Sequence, residues 1–268
     1  MQDIPFFQVD AFTDHVFGGN PAAVMPFNSW PSDEILQAIA VENNLSETAF
    51  IVPEEGEGAA DYSLRWFTPG GEVKLCGHAT MAAAHVVFTH LRADVKTVLF
   101  DSLSGLLSVT KEGDMMVLDF PSDPLPAKAF PEHLSDAMGT APSEAFRGGR
   151  DWMLVYDSQL VVEGLTPNMQ VLSEEKLTGF IATARGAGDV DFISRFFAPA
   201  FGINEDPVTG SAHTNMAPYW AEKLGKTSFY AKQLSPRGGD LWITLKGDRV
   251  HIKGQAVGIL QGVFSLST

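Results

Sequence analysis

Apolar and β-branched residues gather in short runs closed by Gly, Pro or Asp. This pattern predicts strands over residues 6–9, 49–52, 64–67, 106–110 and 116–120. A helical period appears between them. Ile35, Leu36, Ile39 and Ala40 share one face, Ser32 is a suitable N-cap, and asparagines close the segment, which predicts a helix over 32–43. A counterpart is predicted to begin at Thr166-Pro167, as an N-cap followed by proline at the first helical position. Residues 79–91 are apolar on every side and predict a buried central helix. Residues 212–224 predict another, ending at Gly225 and kinked at Pro218.

The pattern also repeats at half the chain length. Asp61, Arg65, Phe67 and Pro69 recur as Asp191, Arg195, Phe197 and Pro199, an offset of 130. Thr48, Phe50 and Ile51 match Thr178, Phe180 and Ile181 at the same offset. Cys76-Gly77-His78-Ala79 aligns with Thr209-Gly210-Ser211-Ala212 at 133, and Gly105, Thr110 and Gly113 align with Gly239, Thr244 and Gly247 at 134. Collinear blocks of this kind indicate two homologous domains. The proline-rich stretch Pro121 to Pro126 marks their boundary, giving domains 1–124 and 125–268 and leaving open that the terminal strand crosses to the first.

Composition narrows the function. Of 268 residues, 18 are Lys or Arg and 33 are Asp or Glu, a formal net charge of −15. Such a surface repels nucleic acid and anionic membranes, so an anionic ligand needs local dipoles to hold it. The one cysteine, Cys76, excludes an intrachain disulfide and a zinc ribbon and suits a reducing compartment. No stretch reaches the roughly 18 apolar residues of a membrane span, and the N-terminus lacks a secretory pattern, so a cytoplasmic protein is expected.

Two glycine-started helices, at Gly77 and Gly210, would offer unpaired N–H groups to a small carboxylate. Glycines that merely allow tight packing are the alternative. Positions where the repeat breaks its own symmetry are the better candidates for chemistry. At offset 130, Glu47 meets Leu177, so a carboxylate stands beside a buried strand where the sister copy is apolar. Desolvated, it would suit general acid–base work; the alternative is a solvated residue at a strand entrance. His78 faces Ser211 in the alignment, and at a helix N-terminus it is expected to stay neutral as a hydrogen-bonding group; the alternative is a capping or packing histidine. Asp206 lies where the second copy carries extra residues, as a site residue or a pre-proline turn residue, and Ser211 is a site residue or a helix cap. The histidines show no metal-binding spacing, so no metal site is expected, and dinucleotide, P-loop and nucleophile-elbow motifs are absent.

Together, Val9-Asp10-Ala11-Phe12 with Gly19-Asn20-Pro21, Ser46-Glu47-Thr48-Ala49-Phe50, Arg65 to Pro69, Leu75 to Thr80 and Asp206 to Ala212 resemble the PhzF-like phenazine-biosynthesis isomerase family. That family is related in fold to diaminopimelate epimerase. The resemblance implies an α+β fold of two homologous, pseudo-two-fold related domains, each a mixed β-barrel-like sheet wrapped around a central helix. It implies a site between them, a homodimer, and no cofactor or metal. It makes Glu47 the catalytic acid/base, with His78 and Asp206 completing the catalytic set and Asn20, Gly77, Gly210 and Ser211 binding substrate. Epimerase relatives carry cysteine at both places matching Cys76 and Thr209, which argues against two-thiol epimerisation here. The expected activity is isomerisation of a small unsaturated or hydroxylated carboxylic acid. A non-catalytic anion-binding or protein-interaction scaffold and a one-base racemase remain the alternatives.

Overall fold

A computed structural model describes residues 2–54, 56, 58, 60–149, 151–176 and 178–266. The chain forms two compact units, residues 1–119 with 253–268, and residues 120–252. In chain order, β1 (Gln2–Ala11), β2 (Asn20–Pro26), α1 (Asp33–Asn43), β3 (Glu47–Pro53), β4 (Tyr62–Thr68), β5 (Gly71–Val73), α2 (Gly77–Val86), β6 (Thr97–Ser102), β7 (Gly105–Glu112) and β8 (Met115–Pro121) come first. There follow α3 (Glu132–Met138), β9 (Glu144–Gly148), β10 (Asp151–Val155), α4 (Gln159–Glu163), α5 (Met169–Ser173), β11 (Phe180–Arg185), β12 (Phe192–Ala198), β13 (Ile203–Asp206), α6 (Ala212–Leu224), β14 (Ser228–Gln233), β15 (Gly239–Lys246), β16 (Arg249–Gly254) and β17 (Ala256–Leu266). The fold is α+β, and the five strands expected from the first half of the sequence all form.

In the first unit β17, β1 and β2 pair antiparallel, β2 and β3 parallel, β3 and β4 antiparallel, β4 and β6 parallel, and β6, β7 and β8 antiparallel. The second unit repeats this order. There, β9 and β10 pair antiparallel, β10 and β11 parallel, β11 and β12 antiparallel, β12 and β14 parallel, and β14 and β15 antiparallel. Strand alternation divides each sheet into two faces. Phe50, Val52 and Phe67 pack with Leu36, Ile39 and Ala40 of α1, while Ala49 and Trp66, paired across β3 and β4, lie on the opposite face. The helix α2 packs against β1, β2, β3 and β17, and every residue of it except His85 is buried, as expected for a central helix. In the second unit Trp220 of α6 stacks on Phe192 of β12 at 5.6 Å.

The ladder corrects one alignment. Thr48 pairs with Phe67, but the residue facing Phe197 is Phe180. If Phe67 and Phe197 are equivalent, Phe180 takes the place of Thr48, two residues from the match read by letters. A two-residue slip keeps each side chain on its own face, so the hydrophobic pattern does not reveal it. Glu47 therefore corresponds to Gly179. Leu177, set against Glu47 in the sequence alignment, lies outside the described residues.

Two helix boundaries differ from expectation, while α1 starts and ends where expected. The helix after Thr166-Pro167 begins at Met169, with Asn168 as N-cap accepting from the Val171 amide at 3.3 Å. The Asn168 side chain supplies the capping acceptor expected of Thr166, so the helix starts two residues later. Ser32 is the N-cap of α1, but its hydroxyl makes no capping bond; Asn44 ends the helix at φ 48°. After Val86, α2 widens into a π-turn over Val87–Leu91. Pro218 lies inside α6, and Gly225 closes it in the left-handed region. Among the described residues no helix is long and apolar enough to cross a membrane.

Candidate active site

Glu47 is the first residue of β3, in register with Ala22 of β2. Its side chain is 13% exposed, so it is not a solvated residue at a strand entrance. His78 follows Gly77 at the start of α2 and is 4% exposed. Nε2 of His78 lies 3.1 Å from Oε2 of Glu47. The contact has ion-pair distance without hydrogen-bond alignment, so both atoms keep bonding capacity. At the other edge of the ring, Nδ1 lies 3.2 Å from Nδ2 of Asn20 and 3.5 Å from Sγ of Cys76.

Local sequence explains each placement. Asn20 opens β2 after Gly19, whose φ is +60° and whose place would set any Cβ against the Ala11 carbonyl oxygen. Only glycine allows this approach. Cys76 is the N-cap of α2, and its carbonyl accepts from the Thr80 hydroxyl at 2.5 Å and the Thr80 amide at 3.2 Å. The preceding amides of the first turn have no intrahelical acceptor and carry the positive end of the helix dipole, with no acidic side chain among them.

Burial works against charge on His78, but the Glu47 carboxylate at 3.1 Å favours it, and its pKa stands well above the ordinary imidazole value. This corrects the expectation that a helix N-terminus keeps the ring neutral. A carboxylate at 3.1 Å is a stronger influence than partial charges at the end of one helix. Burial, then the Glu47 charge, pushes the Cys76 thiol up.

Glu47, Cys76 and His78 bring potential metal-donor atoms within 4.8 Å of one another, a cluster that spacing in the sequence did not reveal. The carboxylate meets Nε2, whereas the sulfur meets Nδ1. One ring nitrogen cannot face both, and a thiol held protonated is a poor ligand. The arrangement suits proton transfer better than chelation.

Asp206, Gly210 and Ser211 lie in the second unit. Asp206 ends β13, is 8% exposed, and accepts a hydrogen bond from the Thr209 hydroxyl. Ser211 stands at the N-cap of α6, but its hydroxyl makes no capping bond. Gln233, which no motif singled out, ties this loop. Its Nε2 donates to the Asp206 carbonyl at 2.8 Å and approaches the Thr209 hydroxyl at 3.2 Å, and its Oε1 accepts from the Thr209 amide at 2.8 Å. His213 Nδ1 donates to the Thr209 carbonyl at 2.9 Å, and burial lowers its pKa to about 4.

Comparison with known proteins agrees with this architecture. The profile of the phenazine biosynthesis-like PhzC-PhzF family matches residues 9–262. A Pseudomonas aeruginosa protein named as an uncharacterized isomerase is 48% identical over 265 residues, covering 98% of this chain and 100% of that one. The crystal structure of an Enterococcus faecalis PhzF-family protein superposes with a TM-score of 0.92 at 44% identity, covering 99% of this chain and 100% of the other. An Agrobacterium vitis hydroxyproline epimerase shares the fold, with a TM-score of 0.65 at 13% identity, covering 97% of this chain and 92% of that one.

Proposed function

Because the chain belongs to the phenazine biosynthesis-like PhzC-PhzF family, we propose that it is a cofactor-independent isomerase that relocates a proton within a small unsaturated or hydroxylated carboxylic acid. The observation that carries this reading is the pair Glu47 and His78, both shielded from water and 3.1 Å apart, with bonding capacity left on the facing atoms. Glu47 takes the proton from one carbon and returns it to another. His78, beside it, fixes a polar group of the substrate. The amides at the start of α2, with Gly77 among them, hold the carboxylate, which explains how a protein of net charge −15 binds an anion. Asp206, Gly210 and Ser211 enter the proposal through the sequence resemblance, as substrate-fixing groups.

Two-thiol epimerisation finds no support in this chain. Thr209 takes the place of Cys76 in the second repeat, and its hydroxyl is committed to Asp206. We propose further that residues 1–124 and 125–268 descend from one duplicated domain, which the matching order of strand pairings supports, and that the protein is a homodimer. Sedimentation at the 29.0 kDa chain mass would overturn the dimer.

The test of the activity is hydrogen exchange. The protein is incubated with cyclic and α,β-unsaturated acids in D2O, and deuterium entry at carbon is followed by NMR. Exchange with double-bond migration that is lost in Glu47→Gln supports the reading. Exchange with loss of optical rotation and no migration makes it a one-base racemase, and saturable binding without exchange makes it a binding protein.

A further inference from the structure

Resting on the acid–base reading above, we infer that Asn20 is a positioning residue that fixes the His78 ring with a hydrogen on Nε2 toward Glu47, and that it does not touch substrate. Asn20 is 0% exposed, and its side-chain amide lies 3.2 Å from Nδ1 of His78. A neutral imidazole carries one N–H, and a donor directed at Nδ1 places that hydrogen on Nε2. When the ring is protonated both nitrogens carry hydrogen, and a half-turn of the amide presents its oxygen to Nδ1 instead. In both states Nε2, which lies 3.1 Å from Oε2 of Glu47, carries a hydrogen. A carboxylate at position 20 could serve only the charged ring.

The backbone holds Asn20 for this task. It pairs with Ala11 across β1 and β2 and follows the left-handed Gly19, where no side chain fits. The groups facing the ring are Asn20 from β2, Glu47 from β3 and Cys76 from the N-cap of α2. Cys76 shares Nδ1 with Asn20, but at 3.5 Å a thiol is the weaker partner. Without Asn20, the neutral ring is free to move its hydrogen to Nδ1 and turn a lone pair toward the Glu47 carboxylate.

The test needs no substrate. Long-range proton–nitrogen NMR of 15N-histidine-labelled protein reports the state of each ring nitrogen, with His78→Gln assigning the signals. In the wild type, titrated to the neutral ring, Nε2 stays protonated and Nδ1 is an acceptor. In Asn20→Ala the two tautomers mix, and Asn20→Asp holds the ring charged to higher pH. If Asn20→Ala does not fold, Asn20→Ser keeps a small donor and is expected to retain the Nε2–H form in part. An unchanged ring in Asn20→Ala or Asn20→Ser overturns the inference.

Once a substrate is identified, Asn20→Ala is expected to lower kcat by at least ~10-fold and leave KM within about twofold, the split expected for an interaction lost in the transition state alone. A rise in KM with kcat unchanged makes Asn20 a substrate contact and overturns the inference. Failure of every acid to exchange in D2O, with the ring signature intact, defeats the proposed reaction and leaves the positioning result standing.

Discussion

Arg195 grips Glu205 with Nε and Nη2 at 2.7 and 2.9 Å, and Arg65 grips Glu72 with the same two atoms at the same two distances. Each pair fastens a short strand, β13 or β5, to its hairpin partner. The remaining nitrogen reaches an outer helix. Arg65 Nη1 meets Asp33 in the first turn of α1, and Arg195 Nη1 meets the carbonyls of Val162, Glu163 and Leu165 where α4 ends. Asp61 and Asp191 also act alike, each accepting from a backbone amide of β6 or β14. What the two halves keep in common is framework. Where they part, at Glu47 against Gly179 and His78 against Ser211, the first half carries groups that can move protons.

Arg195→Leu is expected to destabilise the protein by about 3–5 kcal/mol, because it strands the largely buried Glu205 carboxylate and removes the hydrogen bonds to the Val162, Glu163 and Leu165 carbonyls. Urea unfolding measures it. A loss under ~1 kcal/mol would place the pair with ordinary surface ion pairs.

Glu47→Gln is expected to lower turnover at least ~10²-fold, the low end of what a positioned acid–base group contributes. It also removes a carboxylate that favours the charged His78. Because the folded pKa of His78 is raised, its contribution to stability is full below the unfolded imidazole value and is lost as pH rises through the folded one. That alkaline loss should shrink in Glu47→Gln. Chemical unfolding at a series of pH values, wild type against variant, reads the difference, and an unchanged alkaline slope would show that Glu47 does not charge the ring.

Much of this was legible in the sequence, and the misses share a cause. Apolar periodicity located the five expected strands and the buried helix, and the glycines before the two helices marked their starts. The symmetry break at Glu47 was legible as a break, but its partner was misread. Identical letters at Thr178, Phe180 and Ile181 suggested one register, while the hydrogen-bond ladder follows another that leaves every face unchanged. Asn20 stood out by its motif, yet its contact with His78 spans 58 positions and leaves no local trace. Gln233 is harder still, a buried amide within an ordinary strand whose partners lie 24 and 27 residues away.

Gly179, which meets Glu47 in that register, leaves no room for a side chain. A Cβ there would overlap the Phe196 ring and crowd Oδ1 of Asp151, which accepts from the Gly179 amide at 3.0 Å. Gly179→Ala is therefore expected to cost about 1–3 kcal/mol, as overpacking does. Gly179→Glu should lose more and should not restore turnover to Glu47→Gln. Thermal unfolding and the exchange assay measure the two effects, and a stable Gly179→Ala would show that the site has room.

His213 sets a pH dependence of the opposite sign. It is fully buried and its pKa is lowered to about 4, chiefly by burial. Between pH ~6.5 and ~4 the unfolded chain binds a proton that the folded chain refuses, so stability falls as the solution is acidified through this window. The contribution is on the order of 3 kcal/mol across the whole shift. His213→Asn removes the proton-binding ring, and the wild-type curve of unfolding free energy against pH should be the steeper of the two between pH ~6.5 and ~4. Equal slopes would mean that water reaches the His213 ring in the folded protein.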